Sequence, residues 1–561
     1  MFLLALSPIL WLVVALSILK MAAHKACAIA LIISLAVGCG IYGMETVNAA
    51  TATLEGVALA CWPILLVIIA AIFTYNLTLH TKAMDTIKKM LTSVSNDRRV
   101  LVLLIGWGFG GFLEGMAGFG TAVAIPAGIL AGIGINPIMS AVVCLIANSV
   151  PTAWGSIGIP LMTLASITGM DPVQLAGYTA LQLSPLTILC PILMVIVTGK
   201  SIAALKGVGI MTLVASLAFL IPEMFLSFTM GPELAVVAGS VVSMAAIVAC
   251  AKILPVKDEK YAMEIKGDGG SVSTSTGITA CLPFILIFFL LLLTSKLVPG
   301  ISEPLKAIKT SVLIYSGAGA SPYTFTWVAT PGVLIFLAAF IGGKVQGASL
   351  GEMLGVLGKT FVNLRFTIVT IICVIATAKV MGYSGMTSEI ADTAVAATGT
   401  AYPAVAALIG SVGTFITGSA TSSCVLFGKL QTDAAIAIGA TPAAQAWITA
   451  ANAAGACAGK MVSPQSIAIA VAAIGVQGVE SELMKSAVKF YIPFVIALGA
   501  IVYFGQAFVG QNLTKESYTQ AGSHWLPAFY IPATTLWNET SRIITLALNT
   551  FFIYNSMGCF L

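Results

Sequence analysis

The chain has 561 residues, of which 59% are hydrophobic and only 8% are Asp, Glu, Lys or Arg, where a soluble domain carries about 25% charged residues. That excludes a water-soluble globule and fits hydrocarbon as the solvent, which favours apolar surface on every side of a helix and penalises charge. A formal net charge of +5 leaves no basic excess for nucleic acid. The 11 cysteines form no C-x-x-C and fall mostly singly in apolar segments, so they read as small buried hydrophobes rather than a disulfide or metal framework. His24, His80 and His524 lie far apart, and no Ser/His/Asp arrangement or metal cluster stands out.

The opening apolar run, 2–19, is followed rather than preceded by its first lysine, Lys20. That is the reverse of a cleavable signal peptide and predicts a retained first span. Runs long enough to cross the bilayer recur near 26–43, 58–79, 182–199, 207–225, 234–252, 278–295, 327–343, 364–383 and 488–508, with a weak last one at 541–561. Two regions, 100–165 and 401–475, are too long for one crossing and are cut by Gly, Pro and Asn. The expected fold is an all-α polytopic membrane protein of about 12 or 13 spans.

Lys20, His24 and Lys25, then Lys82 to Arg99, then the stretch VKDEKYAMEIKGDGG near 255–270 are rich in basic residues, whereas 44–56, 166–181 and 226–233 have no Lys or Arg. By the positive-inside rule the first set faces the cytoplasm and the N-terminus the periplasm. The bookkeeping closes only if each long region holds a hairpin that enters and leaves on one side, followed by one true crossing.

Set against each other at an offset of 303 to 305 residues, the two long regions match: Phe112-x2-Gly115 with Phe415-x2-Gly418, and Asn148-x6-Gly155-x4-Pro160 with Asn452-x6-Gly459-x4-Pro464. An amphipathic stretch precedes each hairpin, from Met84 and from Gly385, and each stretch is preceded by a span at the same offset. The reading is two inverted-topology repeats with re-entrant helical hairpins and broken helices. The first covers 1–200 (hairpin about 100–134, broken helix about 137–165) and the second 278–508 (hairpin about 401–438, broken helix about 443–475). They are joined by two spans and a cytoplasmic loop in 201–277, and a tail, 509–561, follows. Secondary transporters are built this way, with the substrate site at the midplane where the repeats meet. The competing account, in which Gly and Pro merely permit close helix packing, leaves the matched Pro and Asn interruptions unexplained.

Interrupted membrane helices offer unpaired N–H groups and a partial positive charge to an anion. Expected ends lie at tips Gly115 to Gly118 and Gly418 to Ser419, and at breaks Asn148 to Thr152 and Asn452 to Gly455. The hydroxyls of Ser149, Thr152, Ser156, Thr421, Ser422 and Ser463, with Asn148 and Asn452, could bind a hydroxyl or second carboxylate oxygen, though a lone Ser or Thr more often bonds its own helix. Lys460 follows the second break and is an expected substrate ligand. Glu114, where the second repeat has Thr417, and Asp433 are the candidate proton-coupling carboxylates. Asp433 is four residues from Lys429 and on its face, so an internal ion pair competes with that role. Lys379 is read as snorkelling.

GWGFGGFLEGMAGFGTAVAIPAGIL followed by GINPIMSAVVCLIANSVPTAWGSIGIP resembles the signature region of the L-lactate permease family, bacterial proton-coupled carriers of lactate and, in some members, glycolate. The resemblance runs from the N-terminus to about residue 508 and implies proton-coupled symport of L-lactate and related 2-hydroxymonocarboxylates, D-lactate among the open cases, across the cell inner membrane by alternating access. The expected partners are lactate or glycolate, protons and the lipid bilayer. No cofactor, metal or catalytic residue is expected, and a homo-oligomer is left open. The alternative with the same fold is a sodium-coupled di- or tricarboxylate transporter. A membrane enzyme would need a nucleophile with its base, and a passive channel would not concentrate its solute.

Overall fold

The computed structural model describes residues 1–512 apart from 16–18, 20, 119, 255–257, 264–271, 295–297, 321 and 477. Among the described residues, 10 helices are long and apolar enough to cross a membrane, or up to 12 if each of two bent pairs is one span. The chain is a multi-pass helical membrane protein. Of the first expected span, Phe2–Ala5 and Ser7–Val13 are helical; the tail beyond 512 and its weak last run lie outside the described residues.

The elements come in two matched series. Thr46–His80 and Leu350–Ser384 are both 35 residues long. Leu350–Ser384 is about 50 Å at the helical rise per residue, longer than the hydrocarbon is thick, whereas Thr46–His80 is kinked at Trp62, whose backbone leaves the helix (φ −137°, ψ 114°). The region 44–56, expected to be a connection, is thus mostly helix: nothing in Thr46–Leu59 stops it before Pro63. Amphipathic helices Ala83–Thr92 and Met386–Thr398 follow. Next come the hairpins, Arg98–Met116 with Thr121–Gly132 and Tyr402–Thr417 with Ala420–Ala437. The bent pairs are Pro137–Asn148 with Pro151–Thr168, bent by 62°, and Pro442–Val462 with Pro464–Ile474, bent by 45°. Each begins alike, with Pro at the first helical position and a capping oxygen just before it: Asn136 accepts from Met139 N–H at 3.0 Å, and Thr441 from Ala444 N–H at 3.3 Å. Pro172–Gly199 and Glu480–Asn512 close the series, and Gly209–Thr229 with Ala235–Ile253 stand between them.

Packing is reciprocal. The distal half of each broken helix lies on the return arm of the other hairpin: Gly155–Thr168 on Ala420–Ala437, and Pro464–Ile474 on Thr121–Gly132.

Three expectations are corrected. The second helix break is not at Asn452 to Gly455, which lie inside Pro442–Val462, but at Ser463, whose backbone is extended (φ −65°, ψ 135°). Gly455 and Gly459 serve packing instead: a Cβ on either would run into the carbonyl oxygen of Ala407 or Ser411 on the first arm of the second hairpin, the close approach that small residues four apart permit. Gly455→Val should therefore fail to reach the membrane in folded form, which detergent-solubilised size-exclusion profiles would read as aggregation. Lys379 does not snorkel; its Nζ donates to Glu55 Oε1 at 2.7 Å, and Tyr383 O–H donates to the same oxygen at 2.8 Å. Finally, the all-helical expectation misses one small antiparallel hairpin, β1 (Lys309–Val312) with β2 (Tyr323–Thr326), where β-branched and aromatic residues flank a glycine-containing turn.

Candidate functional site

The first hairpin turns after Ala117, with Gly118 and Gly120 at φ +60° and +86°. Glu114 is in the last helical turn before it and is 3% exposed. Gly115 is not at the tip: a Cβ there would lie 2.9 Å from Val237 of Ala235–Ile253, so its smallness seats the arm on that helix. Below the tip lies the first break. Asn148 ends its helix, Pro151–Trp154 makes a 3-10 turn, and Ser156, Ile157 and Gly158 take left-handed dihedrals, uncommon for a β-branched residue and characteristic of functional sites. Tip and break are joined: Ser156 Oγ donates to Ala117 carbonyl at 2.7 Å. A Cβ on Gly155 would meet Glu114 Oε1 at 2.7 Å, so the carboxylate occupies the space that glycine leaves.

The second hairpin turns at Gly418, φ +70°, and Ser419 caps the return arm by accepting from Ser422 N–H at 3.2 Å. Lys460, 6% exposed, donates from Nζ to Gly418 carbonyl at 2.7 Å. In the matched segments Gly155-x4-Pro160 and Gly459-x4-Pro464, Lys460 stands where Ser156 does. In both halves, then, a side chain from the same place in the broken helix holds a carbonyl of the hairpin tip.

The two assemblies meet. Ala153 N–H donates to Cys457 Sγ at 3.2 Å, and Cys457 lies 3.5 Å from Val150 carbonyl. Glu114 and Lys460 are not an ion pair, but each lies in the field of the other. The centre therefore gathers Glu114, the Gly118 turn, Asn148 to Ser156, Cys457, Lys460 and the Gly418 tip.

Several expected ligands are otherwise engaged. Ser149 Oγ donates to Ile146 carbonyl at 2.6 Å and Thr152 Oγ1 to Asn148 carbonyl at 2.5 Å, the local bonding that hydroxyls in membrane helices favour. Asn452 is engaged on one side only: its Oδ1 accepts from Gln431 at 3.3 Å within its own half, while its Nδ2 has no hydrogen-bond partner among the described residues. Thr421 is half-buried in the first turn of the return arm. Asp433 pairs with Lys429 and accepts from Ser388 of the amphipathic helix at 3.1 Å, which ties it to a scaffold contact. By contrast, neither amide atom of Asn148, 3% exposed, nor Oε2 of Glu114 has a hydrogen-bond partner among the described residues. Buried polar atoms left open in this way are rare and suit a ligand.

Residues 1–509 match the L-lactate permease family. The chain belongs to that family. It is 45% identical over 432 residues to an L-lactate permease of Streptococcus iniae, covering 77% of this chain and 90% of the relative. It is 34% identical over 542 residues to the glycolate permease GlcA of Escherichia coli K12, covering 90% and 96%. Among solved structures, the Alcanivorax borkumensis YdaH transporter is 14% identical, with a TM-score of 0.35, over 73% of this chain and 85% of that one. As a member of the L-lactate permease family the protein is a membrane transporter and not an enzyme.

Sequence reasoning confined to the hairpins and broken helices missed two buried carboxylates, Glu55 and Glu223, of 3% and 1% exposure. Glu223 was visible as the one acidic residue in the apolar run 207–225. Within the permease, Gly418 carries a direct test. Its left-handed backbone disfavours any side chain, and a Cβ would run into Gln465. Gly418→Val should abolish uptake while leaving the spans inserted; surface expression and circular dichroism like the unaltered protein, with wild-type uptake, would contradict that role of the tip.

Proposed function

We propose that this permease is a proton-coupled symporter of L-lactate and related 2-hydroxymonocarboxylates, glycolate included, across the cell inner membrane, working by alternating access. Its two halves, 1–200 and 278–508, are inverted repeats joined through 201–277, with the N-terminus in the periplasm. The observation that carries this reading is the contact between Ala153 and Cys457, 304 residues apart. That separation equals the offset of Asn148 from Asn452 and of Gly155 from Gly459. Equivalent residues of two units touch where a two-fold axis between them passes, and each distal half-helix packs on the return arm of the other hairpin, Gly155–Thr168 on Ala420–Ala437 and Pro464–Ile474 on Thr121–Gly132; both features support a pseudo-two-fold at the centre of the broken helices, where inverted-repeat carriers bind substrate.

The chemistry there fits a small hydroxy acid. Lys460 spends one donor on Gly418 and keeps others for a carboxylate, half-helix N-termini add to the positive field, and the open amide of Asn148 suits the substrate hydroxyl. Lactic acid has a carboxyl as acidic as an ordinary side-chain carboxyl, about 4, so near neutrality it enters as the anion and the coupled proton must ride on the protein. Glu114 is the carrier this assigns. The relatives, an L-lactate permease and a glycolate permease, agree with that substrate class. Labelled L-lactate uptake into proteoliposomes, with a proton gradient and a sodium gradient imposed in turn, tests the reading. Uphill uptake driven by the proton gradient is expected; uptake driven by sodium alone would overturn it in favour of a sodium-coupled carrier.

A further inference from the structure

Glu223 lies in Gly209–Thr229, the first of the two helices between the repeats. It is 1% exposed, and neither carboxylate oxygen has a hydrogen-bond partner among the described residues. A carboxylate enclosed without a cation or donor is costly as an anion and tolerated as the acid, the behaviour a proton carrier needs. Its surroundings tie it to the transport centre. One turn on, Ser227 accepts from Trp154 Nε1 at 3.2 Å, and Trp154 belongs to the first break. A Cβ on Gly239 of the neighbouring helix would lie 3.5 Å from Glu223 Cβ, while Val237 and Ser240 of that helix face Gly115 and Gly111, on either side of Glu114 in sequence. Cys457, on the pseudo-axis, lies in the field of both Glu114 and Glu223.

We propose that Glu223 is a second proton-bearing carboxylate of the permease, exchanging protons with Glu114 along the linking-helix side of the first repeat. This rests on the proton-coupled reading above and deepens it. A proton leaving one carboxyl is taken up by the carboxylate of the other, so the pair keeps its net charge and no redox partner is involved. The route is one-sided. The linking helix has no counterpart inside the second repeat, and Thr417 stands where Glu114 would be repeated. Cys457 is the titratable group that lies in the field of Glu223, and it lies in that of Glu114 as well, with Lys460 in turn in the field of Glu114. The helices packed on Gly209–Thr229 add Tyr178 and Cys190 from Pro172–Gly199 and Cys250 and Lys252 from the last turn of Ala235–Ile253, while the part of the hairpin arm that packs there, Val102–Phe109, adds none.

The test uses the full-length protein in proteoliposomes. With one pH unit imposed, one-proton coupling concentrates lactate about tenfold. Glu223→Gln should bring that ratio to about one while lactate–lactate exchange continues, and Glu223→Asp, which keeps a titratable group, should restore part of it. A Glu223→Gln protein that concentrates lactate as well as the unaltered one would overturn the proposal and leave proton coupling standing; failure of the unaltered protein to respond to the gradient would instead overturn the coupling itself. Should Glu223→Gln also lose exchange, labelling of the unaltered protein with dicyclohexylcarbodiimide decides, because the reagent adds to the protonated carboxyl. Label on the Glu223 peptide at pH 7, declining as pH rises, is the expected result. Label on the Glu114 peptide alone at every pH would refute the assignment.

Discussion

Glu114→Gln should eliminate lactate accumulation driven by a pH gradient while preserving lactate binding and lactate–lactate exchange. The amide copies the shape of the protonated carboxyl and cannot release a proton, so a carrier that must load and unload is frozen in its loaded form. With an inward gradient of one pH unit, the unaltered protein should hold lactate about tenfold above the outside level, a difference of ~1.4 kcal/mol, and the variant about onefold. The competing role for Glu114, capping the hairpin tip, finds little support in the geometry: Oε2 has no partner among the described residues, and Ser156 rather than Glu114 holds the tip carbonyl. If the Gln variant still concentrates lactate, the coupling belongs to another group, and Asp433, bonded to Lys429 and Ser388, would have to break those contacts to supply it.

Lys460→Met should have the second large effect, on affinity. Methionine fills similar volume without the charge, so the spans should remain, but the substrate carboxylate loses its buried cation and Gly418 its donor. Removing one partner of a buried, hydrogen-bonded charge pair costs about 2–5 kcal/mol, or roughly 30-fold to several thousand-fold in Kd. Isothermal titration of L-lactate into the detergent-solubilised variant should show no measurable binding at concentrations that saturate the unaltered protein. Affinity within threefold would mean that Lys460 serves only to hold the tip.

Composition and hydropathy were enough to read a multi-pass helical membrane protein, because a bilayer imposes length and apolarity on every crossing, but not every bound: the run expected at 58–79 reaches back to Thr46, and the one expected at 327–343 is the shorter helix Pro331–Val345. The matched Pro and Asn positions were enough to find both hairpins and the first broken helix. The second break was misread because Asn452 and Gly455 align with residues that do interrupt a helix, while Pro442–Val462 is Ala-rich and uses its glycines to press against Tyr402–Thr417. Spacing alone cannot distinguish a glycine that breaks from one that packs; the neighbour's carbonyl decides. Lys460 and Glu114 were legible as charges at forbidding depth. Their surroundings were not: the bond from Lys460 to Gly418 carbonyl, 42 residues away, and the placing of Cys457 in the field of Glu114 are set by tertiary packing that spacing does not show. Glu55, the partner of Lys379, was passed over because its segment was read as a connection rather than as the first turns of a long helix.

The inversion of the two repeats is the claim on which the site and the mechanism both stand, and side-specific cysteine labelling tests it most directly. In a background without native cysteines, Ser93→Cys just after the first amphipathic helix and Ala396→Cys in the last turns of the second are both exposed. Inverted repeats put them on opposite faces of the membrane. A membrane-impermeant maleimide should label Ala396→Cys in intact right-side-out vesicles, and Ser93→Cys only after the vesicles are opened. Labelling of both from the same side would contradict the inversion.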